Sequence, residues 1–337
     1  MHTTLLRARD LIAASLAGAL LLGTSACSDD AAAGESTGGG DRTLHVGQLG
    51  ASKVTEALLT ASGEDDGLDY GVDYSLFPTG GGGFMEAVPS GSVDVALMAD
   101  TPPIFGQVAG VETKVVGVQT SVVEGASTVQ VFAAKDSGIE SAADLEGKKV
   151  ALTEGTILQY TVLKALEEEG LSMKDITPVN LPPADAVTAF QGGDVDAVAA
   201  LGPQLAQLTA AGDTVVADGV GATTGYQYAV ATSAALADEQ KADDISDFLQ
   251  RVGRAQAWAA DNQDAWTETY AEVTGLPVDI ARILVERESY QWLPIDDDVI
   301  AAQQEQADAY TDLGLIQTEL DVTQEFDDRL NDTLAGR

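Results

Sequence analysis

From residue 43 onward, apolar residues recur with two alternating periods. Short apolar runs bounded by glycine, proline or acids read as strands: "LHVGQLG" (44–50), "DYSLFPT" (73–79), "GSVDVALM" (91–98), "KKVALTEGT" (148–156), "TPVNLPP" (177–183) and "GDVDAVAAL" (193–201). Between them lie stretches of helical period. One starts near Lys53, one covers Phe84 to Val88 behind "GGGG" (80–83), and one covers Ala184 to Gln191. Another carries Leu158, Val162, Ala165 and Leu166 on one face and stops at Gly170. The grammar occurs twice. "GSVDVAL" (91–97) and "GDVDAVA" (193–199) each place a turn glycine and Val-Asp before a buried strand, and the chain then turns at "ADTPP" (99–103) and "LGPQ" (201–204). This order predicts an α/β fold of two similar lobes whose strands end in loops that face a shared cleft. In open α/β sheets ligands bind outside the carboxyl ends of the strands.

The N-terminus follows a different pattern. Arg7 and Arg9 precede the apolar run Leu11 to Gly23, which is too short to span a bilayer but suits the core of a secretion signal. The small residues Thr24, Ser25 and Ala26 then lead to Cys27, the only cysteine. This arrangement resembles the lipobox of bacterial lipoproteins, although Thr24 stands where that pattern prefers leucine. The resemblance implies a signal peptide over 1–26 and a lipidated Cys27. A plain signal with an incidental cysteine is the alternative, and the position of the lone thiol argues against it. Residues 28–42, "SDDAAAGESTGGGDR", have no apolar pattern and read as a flexible tether. The expected location is the outer face of the cell membrane, with attachment through the N-terminal lipid alone, because no second apolar run is long enough to span.

Charge and composition narrow the chemistry. A net charge of −37 repels phosphate and excludes nucleic acid as a partner. A disulfide within the chain is impossible. With two histidines, one of them in the signal, no metal site or cofactor is expected. A hydrolase triad would have to use His45, which has no Gly-x-Ser-x-Gly elbow near it. The expectation is a binding protein rather than an enzyme, and a monomer.

Three segments make the comparison specific: "ADTPPIFGQVAGVETKVVGV" (99–118), "LEGKKVALTEGTILQYTVLKALEEEGL" (145–171) and "LPPADAVTAFQGGDVDAVAAL" (181–201). With "TGLPVDIARILVERESYQWLPID" (274–296), they resemble the solute-binding proteins of bacterial ABC importers in the nitrate/sulfonate/taurine branch, most closely the aliphatic-sulfonate binders. The resemblance implies a two-lobed, periplasmic-binding-protein-like (type II) clamp. Lobe 1 would comprise 43–128 and 232–337, and lobe 2 would comprise 129–231. It also implies capture of a small anionic solute, with a permease and its ATPase as partners. Nitrate, taurine or an aromatic acid in the same clamp, a non-transport sensor, and a desulfinating enzyme on the same scaffold are the alternatives.

The residues themselves point to "TEGTIL" (153–158): a strand ends, Gly155 permits close approach, and Thr156 can cap the following helix. The first N–H groups of a helix lack internal partners and carry about half a positive charge, which suits an oxyanion. Ile157 belongs to this candidate site. The resemblance adds Gly50, Ala51 and Ser52, then Thr79, Gly80 and Gly81, then Asp100 and Thr101. Asp100 has an alternative role as a brace for the turn at Pro102. Where sulfonate binders carry an aromatic residue and an acid, this chain has Gly202, Pro203 and Gln204. Tyr226 could partly replace that surface, and Arg287 could bring a positive charge. The hinge is expected near Ser127 to Ala134 and Tyr226 to Thr232.

Overall fold

The computed structural model describes residues 42–123, 125, 127–219 and 223–335. The leader, Cys27 and the tether lie outside the described residues. The first part of the chain runs β1 (Thr43–Leu49), α1 (Val54–Ser62), β2 (Gly71–Phe77), α2 (Gly81–Ala87), β3 (Val95–Ala99), α3 (Thr101–Val108) and β4 (Thr113–Ser121). The second comprises β5 (Val129–Ala133), β6 (Lys149–Leu152), α4 (Ile157–Glu168), β7 (Thr177–Asn180), α5 (Pro183–Gly192), β8 (Ala197–Leu201), α6 (Gly202–Ala211) and β9 (Thr214–Asp218). The third holds β10 (Gln227–Thr232), α7 (Ser233–Ala237), α8 (Glu239–Asp261), α9 (Gln263–Thr274), α10 (Val278–Val285), β11 (Tyr290–Leu293), α11 (Asp297–Asp312) and α12 (Asn331–Leu334).

These strands form two sheets, ordered β11-β4-β10-β3-β1-β2 and β7-β6-β8-β5-β9. In each, the strands that alternate with helices pair in parallel, and an antiparallel strand joins them. The inner strands β3, β8 and β10 are covered on both faces, so they are apolar at successive positions rather than alternately. On β8, Ala197 and Ala199 face a core containing Leu158, Val162 and Leu166 of α4. Val198 and Ala200 face Phe190 of α5 and Leu205 of α6. In the six-stranded sheet, Leu44, Val46 and Val95 pack under Leu249, Val252 and Ala255 of α8.

The chain crosses between the sheets twice, from Ser121 at the end of β4 to Val129, and from Asp218 to Gln227. Both crossings leave and enter at the carboxyl-end edges of the parallel strands, so those two edges face each other. The return crossing falls earlier than the sequence reading puts it. Residues 227–231, expected in the second lobe, belong to β10, which pairs with both β3 and β4 in the six-stranded sheet. Likewise 129–133, expected in the hinge, is the paired strand β5. Each crossing is therefore short, and the strand after it begins pairing at once. The two halves also touch on both flanks of the cleft. Ala206 of α6 joins Ala281 and Leu284 of α10, and Tyr160 and Leu163 of α4 join Ile104 and Tyr310. Among the described residues no helix is long and apolar enough to cross a membrane.

Candidate functional site

The facing edges present several helix N-termini, and their sequences sort them as anion sites. At α3 and α5, prolines in the first turn remove N–H donors, and α5 also carries Asp185 there. At α6, Pro203 does the same and no side chain caps the start. Helix α1 has Glu56 in its first turn. Helix α4 has neither defect: no proline and no acid occupies its first turn. Its N-cap is Thr156, whose Oγ1 accepts from the Leu158 N–H at 3.2 Å and donates to the Thr153 carbonyl at 2.6 Å. The Gly155 N–H is taken by Gln159 Oε1 at 2.8 Å. The N–H groups of Thr156 and Ile157 are left without an acceptor among the described residues and sit at the positive end of the helix dipole. Gly155 adopts φ +67°, a left-handed conformation that favours glycine and turns the chain into the helix.

Opposite, on the six-stranded half, α2 begins at Gly81 behind Gly80 and Thr79, again without acid or proline in its first turn. A Cβ at Gly81 would lie 2.6 Å from Pro102 Cβ, so the glycine lets the starts of α2 and α3 meet. Thr79 and Ala51 are exposed, Gly50, Ser52, Gly80, Gly202, Gln204, Tyr226 and Arg287 are half-buried, and all lie at the two edges or the crossings.

Asp100 and Thr101 are placed differently from a ligand-facing pair. They are 2 % and 3 % exposed. Asp100 Oδ2 accepts from Thr224 Oγ1 on the second crossing at 3.2 Å, and Oδ1 accepts from Gln306 Nε2 on α11 at 3.2 Å. Burial pushes this carboxyl up, and the hydrogen bonds from Gln306, Thr224 and Thr101 oppose that rise. The pair fastens the return crossing to α11, and the Asp100 side chain makes no capping hydrogen bond to the start of α3. Tyr226 stacks loosely on Tyr228, with centroids 6.4 Å apart, and packs against the apolar core rather than standing free in the cleft. Arg287, just past α10, donates from Nη1 to the Ser127 carbonyl on the first crossing at 3.1 Å. No carboxylate among the described residues pairs with it.

Sequence reasoning missed several residues at these edges. Phe105 of α3 lies against Gly155, 3.5 Å from where a Cβ would stand, and its ring is 5.2 Å from that of Tyr310. Gln48 is buried at the end of β1; its Oε1 accepts from the Thr55 N–H, while its Nε2 has no partner. Glu288 is half-buried beside Tyr270 and Tyr290, and burial pushes its carboxyl up to about 7. Only Gln48 left a signal, as a polar residue at an inward position of an alternating strand. A cavity of about 560 Å³ lies to one side, between α4, the return crossing and α11. Its walls include Glu167, Glu168 and Glu305, with Lys164 already paired to Glu305 at 2.9 Å, so it does not suit an anion. A smaller one, about 330 Å³, opens near Lys114 and Glu325, away from the edges. Among the described residues no group of three or more metal-ligating side chains converges.

Comparisons with known proteins agree with this architecture. The family model described as NMT1/THI5 like matches residues 64–266. A relative from Escherichia coli (strain K12), provisionally named an aliphatic sulfonates-binding protein, is 34 % identical over 256 residues, 75 % of this chain and 78 % of the relative. The crystal structure of the periplasmic aliphatic sulphonate binding protein SsuA from Escherichia coli superposes with a TM-score of 0.74 at 28 % identity, covering 84 % of this chain and 91 % of that one. The alkanesulfonate-binding protein SsuA from Xanthomonas axonopodis pv. citri, bound to MOPS, gives a TM-score of 0.74 at 26 % identity over 84 % and 97 %. The fold is that of the two-sheet periplasmic binding proteins, and the chain belongs to the NMT1/THI5-like family.

Proposed function

We propose that this protein is the extracytoplasmic solute-binding component of an ABC importer, anchored through a lipid on Cys27, and that it captures an aliphatic sulfonate between its two halves for delivery to a permease and its ATPase. The observation that carries the reading is the start of α4. There, two unpartnered N–H groups face the opposite sheet edge at a capped, proline-free, acid-free helix terminus. The relatives named for sulfonate binding support the same ligand class. Binding is the whole mechanism: the ligand bridges both edges and shifts an open–closed equilibrium toward the form that the permease recognises. The protein is expected to act as a monomer.

The test is a thermal-shift screen of the chain from residue 28 against alkanesulfonates, nitrate, sulfate and aromatic carboxylates. A ligand at a hundred times its Kd stabilises by about 2.7 kcal/mol, a rise of roughly 2 °C or more at this size. Alkanesulfonates are expected to give the shift and Ile157→Pro to diminish it. Proline is tolerated at the first helical position, and there it deletes a single N–H donor. A shift only with nitrate or aromatic acids would move the assignment to those ligands; a response confined to neutral or cationic solutes would overturn the anion site.

A further inference from the structure

Outside the cleft, the flank where α4 meets α11 gathers side chains that capture of an anion does not use. On α4, Tyr160, Lys164, Glu167 and Glu168 fall at i, i+4, i+7 and i+8, on one face of the helix. Toward the start of the helix this face is apolar, with Tyr160 packed among Leu163, Ile104 and Tyr310. Toward the end it is charged and borders the cavity of about 560 Å³ between α4, the return crossing and α11. The walls carry three carboxylates, Glu167, Glu168 and Glu305, against the single ammonium of Lys164. Lys164 Nζ lies 2.9 Å from Glu305 and 3.4 Å from Glu167, whereas the Glu168 side chain has no ion pair or hydrogen bond among the described residues. Two of the three negative charges are therefore uncompensated. The last turn of α4 holds no basic residue, so the negative end of the helix dipole adds to them.

The phenol of Tyr160 points independently to an occupant. The residue is 5 % exposed, and its ring lies 6.0 Å from that of Tyr310. Its hydroxyl has no partner among the described residues, yet the oxygen is not sealed in the core. Tyr160 lines the cavity, and the charges that act on its hydroxyl most are those of Glu305 and Lys164 on the same walls. Burial, and after it the Glu305 charge, pushes the phenol up to about 12, so it stays neutral and both donates and accepts. A polar group held this deep, unpartnered and opening on a negatively charged cavity, fits a ligand that brings its own donors. A metal ion is a poor match, because no three ligating side chains converge among the described residues. Carboxylates spread over the walls suit two separated cationic groups instead.

We propose that this flank cavity is a second binding site, taking a small alkane-diammonium compound whose two charges match the uncompensated carboxylates. One ammonium answers Glu168 at the end of α4, and the other donates to Tyr160 Oη beside Glu305. The site is separate from the α4 N-terminus and does not depend on what the cleft takes. Its walls belong to both halves, so the occupant adds a tie across the flank next to the Lys164–Glu305 pair. The net charge of −37 draws every cation toward the surface. The arrangement of Tyr160 and Glu168 distinguishes this site from that general attraction.

The experiment is isothermal titration of the chain from residue 28 with 1,4-diaminobutane at pH 7 and fixed ionic strength. The proteins are the wild type, Tyr160→Phe, Glu168→Gln and Glu272→Gln. Glu272 is an exposed acid on α9 outside the cavity walls, so its variant removes the same charge elsewhere on the surface. The wild type is expected to bind saturably, Tyr160→Phe and Glu168→Gln each about threefold weaker or more, and Glu272→Gln as the wild type does. Butylammonium, with one charge on the same carbon chain, and magnesium chloride at matched ionic strength are both expected to bind more weakly than the diamine. Heats without saturation, magnesium binding as tightly as the diamine, or equal weakening in Glu272→Gln and Glu168→Gln overturns the site and leaves only the attraction of an anionic surface. Unchanged affinity in Tyr160→Phe overturns it as well. Thermal unfolding of the ligand-free proteins separates a lost site from a lost fold. Titration of the same proteins with ethanesulfonate reports on the cleft alone, so failure of the flank site leaves the sulfonate reading standing.

Discussion

Single carboxylates carry much of the information in this molecule, because burial has shifted them in one direction. Glu325 is 4 % exposed; one oxygen accepts from Gln303 Nε2 at 3.0 Å and the other has no partner. Burial pushes its carboxyl from the usual 4.5 up to about 7, with Lys114 and the Gln303 hydrogen bond only partly opposing the rise. The folded value lies above the unfolded one, so folding favours the protonated form. This contribution to stability is complete below about pH 4.5 and is lost as pH rises through 7. Glu325→Gln keeps an acceptor for Gln303 and cannot ionise. Its unfolding midpoint relative to wild type is therefore expected to be higher at pH 8 than at pH 5, read from urea titrations at both. Parallel curves would show that Glu325 does not titrate in this range. Asp100 shifts in the same direction for the same reason, and the hydrogen bonds from Gln306, Thr224 and Thr101 oppose the rise.

At the scale of elements, the starts of α2 and α3 set the shape of one cleft wall. Gly81→Ala would drive a methyl into Pro102, with 2.6 Å to its Cβ, whereas Gly82 has nothing within 4 Å of the same position. Overpacking of this kind costs about 1–3 kcal/mol. A methyl at the open, exposed site instead gains helix propensity of up to about 1 kcal/mol. Gly81→Ala is expected to lower Tm and Gly82→Ala to leave it level or raise it; the reverse order would mean that the two helix starts do not meet as described. The elements themselves were legible in the sequence. The paired "GSVDVAL" and "GDVDAVA" segments become β3 and β8, each leading through a tight turn into a helix at the cleft edge. Thr156 was legible as a cap because capping is local chemistry, and the structure shows its Oγ1 in that role. The place of β10 was not, since strand order depends on partners over a hundred residues away and nothing in "QYAVAT" distinguishes one sheet from the other. The same holds for Asp100, whose partners Thr224 and Gln306 are distant in sequence.

Across the whole molecule, a net charge of −37 competes with a modest set of ion pairs. Pairs such as Arg282–Asp264 and Lys164–Glu305 are largely exposed, and exposed pairs contribute about 0–1 kcal/mol each. Self-repulsion among 54 acids against 17 bases acts over the entire surface. Salt screens both, but the Debye length falls from about 30 Å at 0.01 M to about 3 Å at 1 M, which removes long-range repulsion while leaving close contacts partly intact. Repulsion has more to lose, so Tm is expected to rise with sodium chloride over that interval, with a smaller rise when the acids are partly protonated near pH 4.5. The same screening bears on capture. Anions approach a strongly anionic protein, so added salt speeds their entry even as it weakens the attraction at the α4 terminus. Thermal scans in chloride and in a bulkier, weakly coordinating anion separate screening from anion binding at that terminus, since only the latter depends on which anion is present. A falling Tm in both salts would mean that specific pairs, including the cross-half Lys164–Glu305 contact, hold this fold more strongly than its charge pushes it apart.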